Sequence, residues 1–382
     1  AGRLRSGGGK WPLPLPLPVA SPEPILAVGP HLKNTFTLAR GDSAYLSQHI
    51  GDLESLDTLG HFQASLEVFR TLFGVEPSVV VRDLHPGYLS TRVAGEMADT
   101  LGAVEIMAVQ HHHAHVAAVL ADHGTTGPAV GLAFDGTGYG EDGRIWGGEV
   151  LVADLEAYRR MGRMRYIPLP GGEIAVRNPW RTVLGCLSLA PHLEQDFRLA
   201  LSGVSPDETG VVVRQAEKGV NAPLASSTGR LFDAAAAVLG LRTRCSYEGQ
   251  AAMELEAAAW EGTVSAETVL EDPPPGCPGL PFPVARDRSG VQVMDPLPLL
   301  SALGRARQAG VSLESLAVAF HTTLARTAAG VARSACREAG LSRVVLCGGV
   351  FQNVLLLEVM ARLLEDAGLE VLIPRTLGPN DG

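Results

Sequence analysis

A two-lobed α/β fold made by internal duplication is what this sequence predicts, on three observations. Strand-like apolar runs alternate with amphipathic helical runs, the order of those runs occurs twice, and glycine-rich turns follow two of the buried strands.

The elements follow in order. Residues 1–24 contain GGGKWPLPLPLPVASPEP, where glycines and alternating prolines oppose regular hydrogen bonding, so an extended linker or arm is expected there. A first lobe is expected over residues 25–128. ILAVGP, NTFTLARG and SAYLSQ predict three short strands, followed by helix 56–73, strand SVVVRD, helix 89–100, strand EIMAVQ and helix 111–123. Residues 129–382 predict a second lobe in the same order. AVGLAFDG, GRIWGGEVLVADL and YRRMGRMRYIPLP are its strands; helix 313–339, strand RVVLCGG, helix 354–367 and strand EVLIPR complete it. Between them lies an interruption over about 171–300, rich in alanine and leucine at helical spacing (RLFDAAAAVLGL, AAMELEAAAWEG) and ending in EDPPPGCPGLPFP, which predicts a helical insert. A duplicated β-β-β-α-β-α order makes two lobes with a cleft, and ligands of open α/β sheets bind beyond the strand carboxyl ends.

Composition narrows the classes. With 382 residues, 46% of them hydrophobic, the chain can bury a sizeable core. No run of about 18 apolar residues and no secretory leader pattern is present, which predicts a cytoplasmic protein without a membrane span. The five cysteines are widely spaced without a CxxC pair, so neither a disulfide framework nor a cysteine zinc site is expected. A formal charge of −10 and the lack of a dense Lys/Arg tract argue against a nucleic-acid partner.

Three segments carry chemistry. In VQHHHAHVAAVLADHG, His111 and His115 are four apart at a helix start, so both imidazoles leave one face a turn apart, the spacing needed to share a metal, while His112 and His113 point elsewhere. A solvated histidine cluster or a capping arrangement is the bland alternative. In GLAFDGTGYGEDG an apolar strand ends in Asp135 and turns through Gly136, Thr137, Gly138 and Tyr139; glycine amides there can approach phosphate oxygens, Thr137 can donate a hydroxyl, and Asp135 can hold a cation. An ordinary glycine hairpin competes with that reading. CGGVFQN places Asn353 at the opening of a helix, where it can meet a nucleotide or merely make a tight strand-to-helix turn. The terminal GPNDG leaves Asp381 just past a strand, facing the cleft. Lys33 in HLKNTF and His49 in SQHIGD lie at turns of the first lobe; Asp83, His85 and Arg92 in RDLHPGYLSTR are either cleft lining or a capped helix start; Glu248 and Gly249 precede another helix. No G-x-S-x-G elbow and no cysteine paired with a base is evident, so no covalent enzyme nucleophile is expected.

Together QHHHAH, FDGTGYG, SYEGQAAMELE, CGGVFQN and GPNDG, preceded by HLKNTF and SQHIGD, resemble the carboxy-terminal transferase domain of the HypF hydrogenase-maturation family from about Ile25 onward. The fold so implied is a duplicated actin-like (ribonuclease H-like, ASKHA) one, and it is similar to those of the TsaD tRNA-modifying and TobZ antibiotic carbamoyltransferase families. The resemblance implies a divalent metal, iron or zinc, on His111, His115, Asp381 and, as in the carbamoyltransferase branch, Asp135. It implies ATP or carbamoyl-adenylate contacts, with magnesium an added option, from the Asp135–Tyr139 turn, Asp233 in GRLFDAAA, Gly249 and Asn353, and leaves Lys33 and His49 as catalytic candidates. The implied reaction passes an ATP-activated carbamoyl group, derived from carbamoyl phosphate, to the carboxy-terminal cysteine of HypE for the cyanide ligand of [NiFe] hydrogenase. O-carbamoylation of a small hydroxylated metabolite is the second reading. The acylphosphatase-like, paired-CxxC and YrdC-like regions of that family are not in this sequence, so adenylate formation is not expected from this chain by itself.

Overall fold

The computed structural model describes residues 14–102, 105–262, 265, 269–270 and 279–380. In the first lobe β1 (Leu15–Ala27), β2 (Thr37–Leu46), α1 (Leu56–Phe73), β3 (Val79–Asp83), α2 (Leu89–Leu101) and β4 (Glu105–Val109) follow one another. The sheet order is β2-β1-β3-β4, antiparallel between β1 and β2 and parallel elsewhere. Two expectations change here. NTFTLARG and SAYLSQ are one strand, because Gly41, with φ of 58°, lets β2 run on past the position where a turn is predicted. Residues 15–24, expected as an arm, form the outer part of β1. That part pairs only with β2, since β3 joins no earlier than Ile25, and its ladder is irregular between Pro16 and Ile25. Prolines are tolerated in such a place because the missing N–H has no strand to serve. Helix α1 has its predicted bounds: Gly74 in the left-handed region ends it, with its N–H on the Arg70 carbonyl. Phe36, Phe62, Phe69, Leu26, Leu38 and Val80 form the core under α1 and α2.

Helix α3 (His111–Asp122) follows, and the second lobe comprises β5 (Ala129–Tyr139), β6 (Ile145–Ala153), β7 (Tyr158–Met164), β8 (Ile167–Pro168), α4 (Glu173–Arg177), α5 (Pro179–Leu189), α6 (Pro206–Glu217), β9 (Leu224–Ala225), α7 (Thr228–Val238) and α8 (Gln250–Glu261). Then come β10 (Val284–Arg286), β11 (Gln292–Met294), α9 (Leu297–Gln308), α10 (Leu313–Ala339), β12 (Arg343–Cys347), α11 (Val354–Glu365) and β13 (Glu370–Leu372). The main sheet runs β10-β11-β7-β6-β5-β12-β13, so β7-β6-β5-β12-β13 repeats the first lobe's order with one more antiparallel strand. The predicted helical insert also carries strands: β10 and β11 form a hairpin that extends the β7 edge. Its proline-rich end, residues 271–278 with Cys277, lies outside the described residues.

Helix α10 is the spine of this lobe. Ser312 caps its start through the Ser315 N–H, Gly340 ends it in the left-handed region, and Phe320, Leu324, Ala328 and Val331 are buried along it. No helix among the described residues is long and apolar enough to cross a membrane.

Helix α3 joins the lobes. Val116, Val119 and Leu120 pack with Ala133, Leu151 and Val345 of the second sheet. Its alanines 114, 118 and 121 instead line a slot of about 520 Å³ whose other wall includes Ala27, Thr37, Ala44 and Val81 of the first sheet. Small side chains on both walls leave that space, which a packed core would fill.

A candidate metal and nucleotide site between the lobes

Gln110 caps α3 by accepting from the His113 N–H, so the helix begins at the histidines, and helical spacing sets His111 and His115 edge to face with ring centroids 4.8 Å apart. Asp135 faces them from β5, with Oδ2 3.1 Å from His111 Nε2 and 3.5 Å from His115 Nε2. The three donor atoms all lie within 4.8 Å of one another. From the other lobe, Asp83 Oδ2 accepts from His111 Nδ1 at 3.0 Å. Holding the proton on Nδ1 leaves the Nε2 lone pair directed at Asp135.

These residues fit a divalent transition metal. Two imidazole nitrogens and a carboxylate are its usual donors, and donors bound to one tetrahedral ion sit about 3.4 Å apart. Burial works to raise the Asp135 carboxyl, but its polar contacts with the His111 and His115 imidazoles outweigh it and hold it well below the usual carboxylate range. Asp83 is held low in the same way, burial opposing and the His111 bond prevailing. Both carboxylates stay ionised, as ligands and their supports must. Asp381 lies outside the described residues.

The predicted turn at Asp135 is instead a bulge inside β5, where pairing with β6 breaks between Phe134 and Gly138 and then resumes. It aims Asp135 at the histidines. A Cβ on Gly138 would lie 2.4 Å from His112 Cε1 and 2.9 Å from His111 Cδ2, so glycine is needed there for close approach to the imidazoles. Gly138 is buried against the histidines, and Tyr139 packs edge-on to His85; neither borders the nucleotide-sized cavity described next. His112 and His113 do point elsewhere, His112 toward Gln110 and Trp146, and His113 onto the Asp154 carbonyl at 2.8 Å.

A cavity of about 430 Å³ opens from the cluster, and Lys33, Asp135, Gly136, Thr137, Asp233, Gly249 and Asn353 all border it. Gly136 faces it openly, and its N–H and that of Gly349 donate to Asp135 Oδ1. Lys33 Nζ reaches across from the first lobe to Glu248 at 3.2 Å, with its backbone at φ of 51° in the left-handed region, a strained conformation for lysine. Asn353 caps α11 through the Leu356 N–H and donates Nδ2 to His321 Nε2 at 2.9 Å. His49 is exposed on a loop and borders neither cavity.

Two residues escape sequence reading. Arg230 sits three before Asp233 and pairs with it at 3.0 Å; the i, i+3 spacing in GRLFD was the available signal. His321 is a single buried histidine in an apolar helix, and nothing local announces its partner. The slot shares His111 and Asn380 with the cavity, so the cluster is open to both. Cys347 borders the slot, but burial pushes its thiol up and holds it protonated.

A family model described as "Carbamoyltransferase, Kae1-like Domain, second subdomain" matches residues 131–382, and one described as "HypF Kae1-like domain" matches residues 20–122. The chain is 41% identical over 379 residues to carbamoyltransferase HypF2 of Cupriavidus necator, covering 94% of this chain and 45% of that protein. It is 36% identical over 359 residues to a shorter carbamoyltransferase HypF homolog of the same organism, covering 94% of this chain and 88% of that one. The crystal structure of full-length HypF in a phosphate- and nucleotide-bound form superposes with a TM-score of 0.89 at 34% identity, over 98% of this chain and 46% of that chain. Apart from the shorter homolog, the chain spans about half or less of the curated relatives it matches. Sequence, fold and similarity together place the chain in the HypF carbamoyltransferase family, over its Kae1-like region.

Proposed function

We propose that the chain is the transferase part of a hydrogenase-maturation enzyme: it moves the carbamoyl group of carbamoyl-adenylate to an acceptor thiol, the carboxy-terminal cysteine of HypE. The observation that carries this is the convergence of His111, His115 and Asp135 where the cavity and the slot meet. When bound, a divalent metal would supply Lewis-acid polarisation of the carbamoyl oxygen from those three residues.

The chain's own groups do the rest. Gly136, Thr137 and Lys33 border the space for the leaving phosphate, and Asp83 fixes the His111 ring. The acceptor sulfur forms its bond to the carbamoyl carbon as the carbon–oxygen bond to phosphate breaks, and AMP leaves with the electron pair. The thiol proton passes to solvent as the thiolate forms. Cys347 is kept protonated by burial, and no other cysteine among the described residues borders the cavity or the slot, so proximity and electrostatics provide the acceleration.

The slot's largely apolar lining, with Arg82 on its wall, favours the end of a peptide over a polyhydroxylated acceptor. Of its acidic lining, Asp83 is held by His111, and Asp122 accepts the Arg375 and Thr376 amides. The test is to mix the protein with carbamoyl-adenylate and HypE and read the acceptor by intact-mass spectrometry. Carbamoylation of the terminal cysteine, reduced at least about a hundredfold by His111→Ala, is expected. An unmodified acceptor, or equal modification by the variant, would overturn the reading.

A further inference from the structure

Arg230, on the first turn of α7, is 6% exposed and borders the 430 Å³ cavity. Its Nη2 lies 3.9 Å from where a Cβ on Gly136 would stand. Although its Nε is 3.0 Å from Asp233 Oδ2, the two are not aligned for a hydrogen bond, and neither Nε nor Nη1 makes one. A buried guanidinium with two nitrogens unsatisfied is costly, and an oxyanion reaching them recovers that cost through charge-assisted hydrogen bonds.

The neighbouring charges are committed differently. Lys33 is engaged by Glu248 at 3.2 Å, and Glu256 accepts the Val354 and Leu355 amides at the start of α11. Burial pushes the Asp233 carboxyl up to about 6, although the nearby Arg230 guanidinium draws it down.

We infer that Arg230 anchors one nucleotide phosphate beside Gly136, which matches the cavity to the single negative charge of an acyl-adenylate. This rests on the reading of the cavity as the nucleotide site, and goes beyond it in assigning the phosphate to a particular cation. A lone guanidinium with donors to spare suits one phosphate bound through two oxygens.

The test compares adenosine, AMP and an acyl-sulfamoyl adenosine, a monoanionic mimic, by calorimetry on the wild type, Arg230→Gln, and the double variant Arg230→Ala with Asp233→Asn. The double variant removes the carboxylate that would otherwise be left buried and unpaired. Because the readout is the ratio of AMP to adenosine affinity within each protein, a partly unfolded fraction cancels. The wild type should bind AMP and the mimic at least about tenfold more tightly than adenosine, and both variants should bring that ratio near one with metal content unchanged. A ratio that persists in both variants, or a loss shared equally by adenosine and AMP, would overturn the assignment of Arg230 while leaving the nucleotide site standing. A wild type that binds none of the three would remove the nucleotide site itself, and this inference with it.

Discussion

His111 is used at both ring nitrogens: Nδ1 meets Asp83 at 3.0 Å and Nε2 meets Asp135 at 3.1 Å. A carboxylate behind a metal-binding imidazole fixes its tautomer and raises its basicity, and losing such a partner typically weakens metal affinity about 10–100-fold. Asp83→Asn should therefore lower metal affinity by about that factor in a competition titration while near-ultraviolet circular dichroism stays unchanged. Sequence reading left Asp83 undecided between cleft lining and a helix start. The pair His111–Asp83 is separated by 28 residues and formed across two elements, which no local pattern encodes. The four-residue spacing of His111 and His115, by contrast, is a local fact of helix geometry and was legible.

Among elements, α10 and α11 are coupled at the nucleotide-sized cavity by one polar contact. His321 Nδ1–H donates to the Ala317 carbonyl at 2.7 Å, and Nε2 accepts from Asn353, which caps α11. Burial lowers the imidazole to about 4 from its ordinary 6.5. The unfolded chain thus binds a proton between those values that the folded chain refuses. The stabilisation is complete above pH 6.5 and is lost as pH falls toward 4, by roughly 3 kcal/mol in all. Urea titrations from pH 7 to pH 4 should show that loss, and His321→Gln should flatten it.

Element bounds were legible where caps are local, as for α1 with Gly74 and α10 with Ser312 and Gly340. They were not legible where tertiary pairing overrides a turn signal. Gly41 and the glycines after Asp135 read as turns, but a facing strand carries the backbone through each as extended structure with an irregular ladder. The hairpin inside the insert was hidden for a related reason: three-residue strands are too short to show a period.

For the whole molecule, the lobes share helix α3, and the Lys33–Glu248 pair crosses between them at 3.2 Å. Both partners of that pair are nearly half exposed, so solvent screens it. Lys33→Ala should change unfolding free energy by less than about 1 kcal/mol in denaturant titration, even where nucleotide affinity falls. Duplication itself was readable because each half carries its own periodic runs. That the apolar face of α3 packs on the second sheet was not, since its sequence neighbours belong to the first lobe.

The two carboxylates gripping His111 come from opposite lobes, Asp83 from β3 and Asp135 from β5. A clam-shell parting of more than about an ångström at this point would take one of the two contacts beyond hydrogen-bonding reach. If both contacts persist, molecules reach the cluster through the slot and the cavity, and a pair of probes on β3 and β5 would report a constant separation through a full cycle of loading and release.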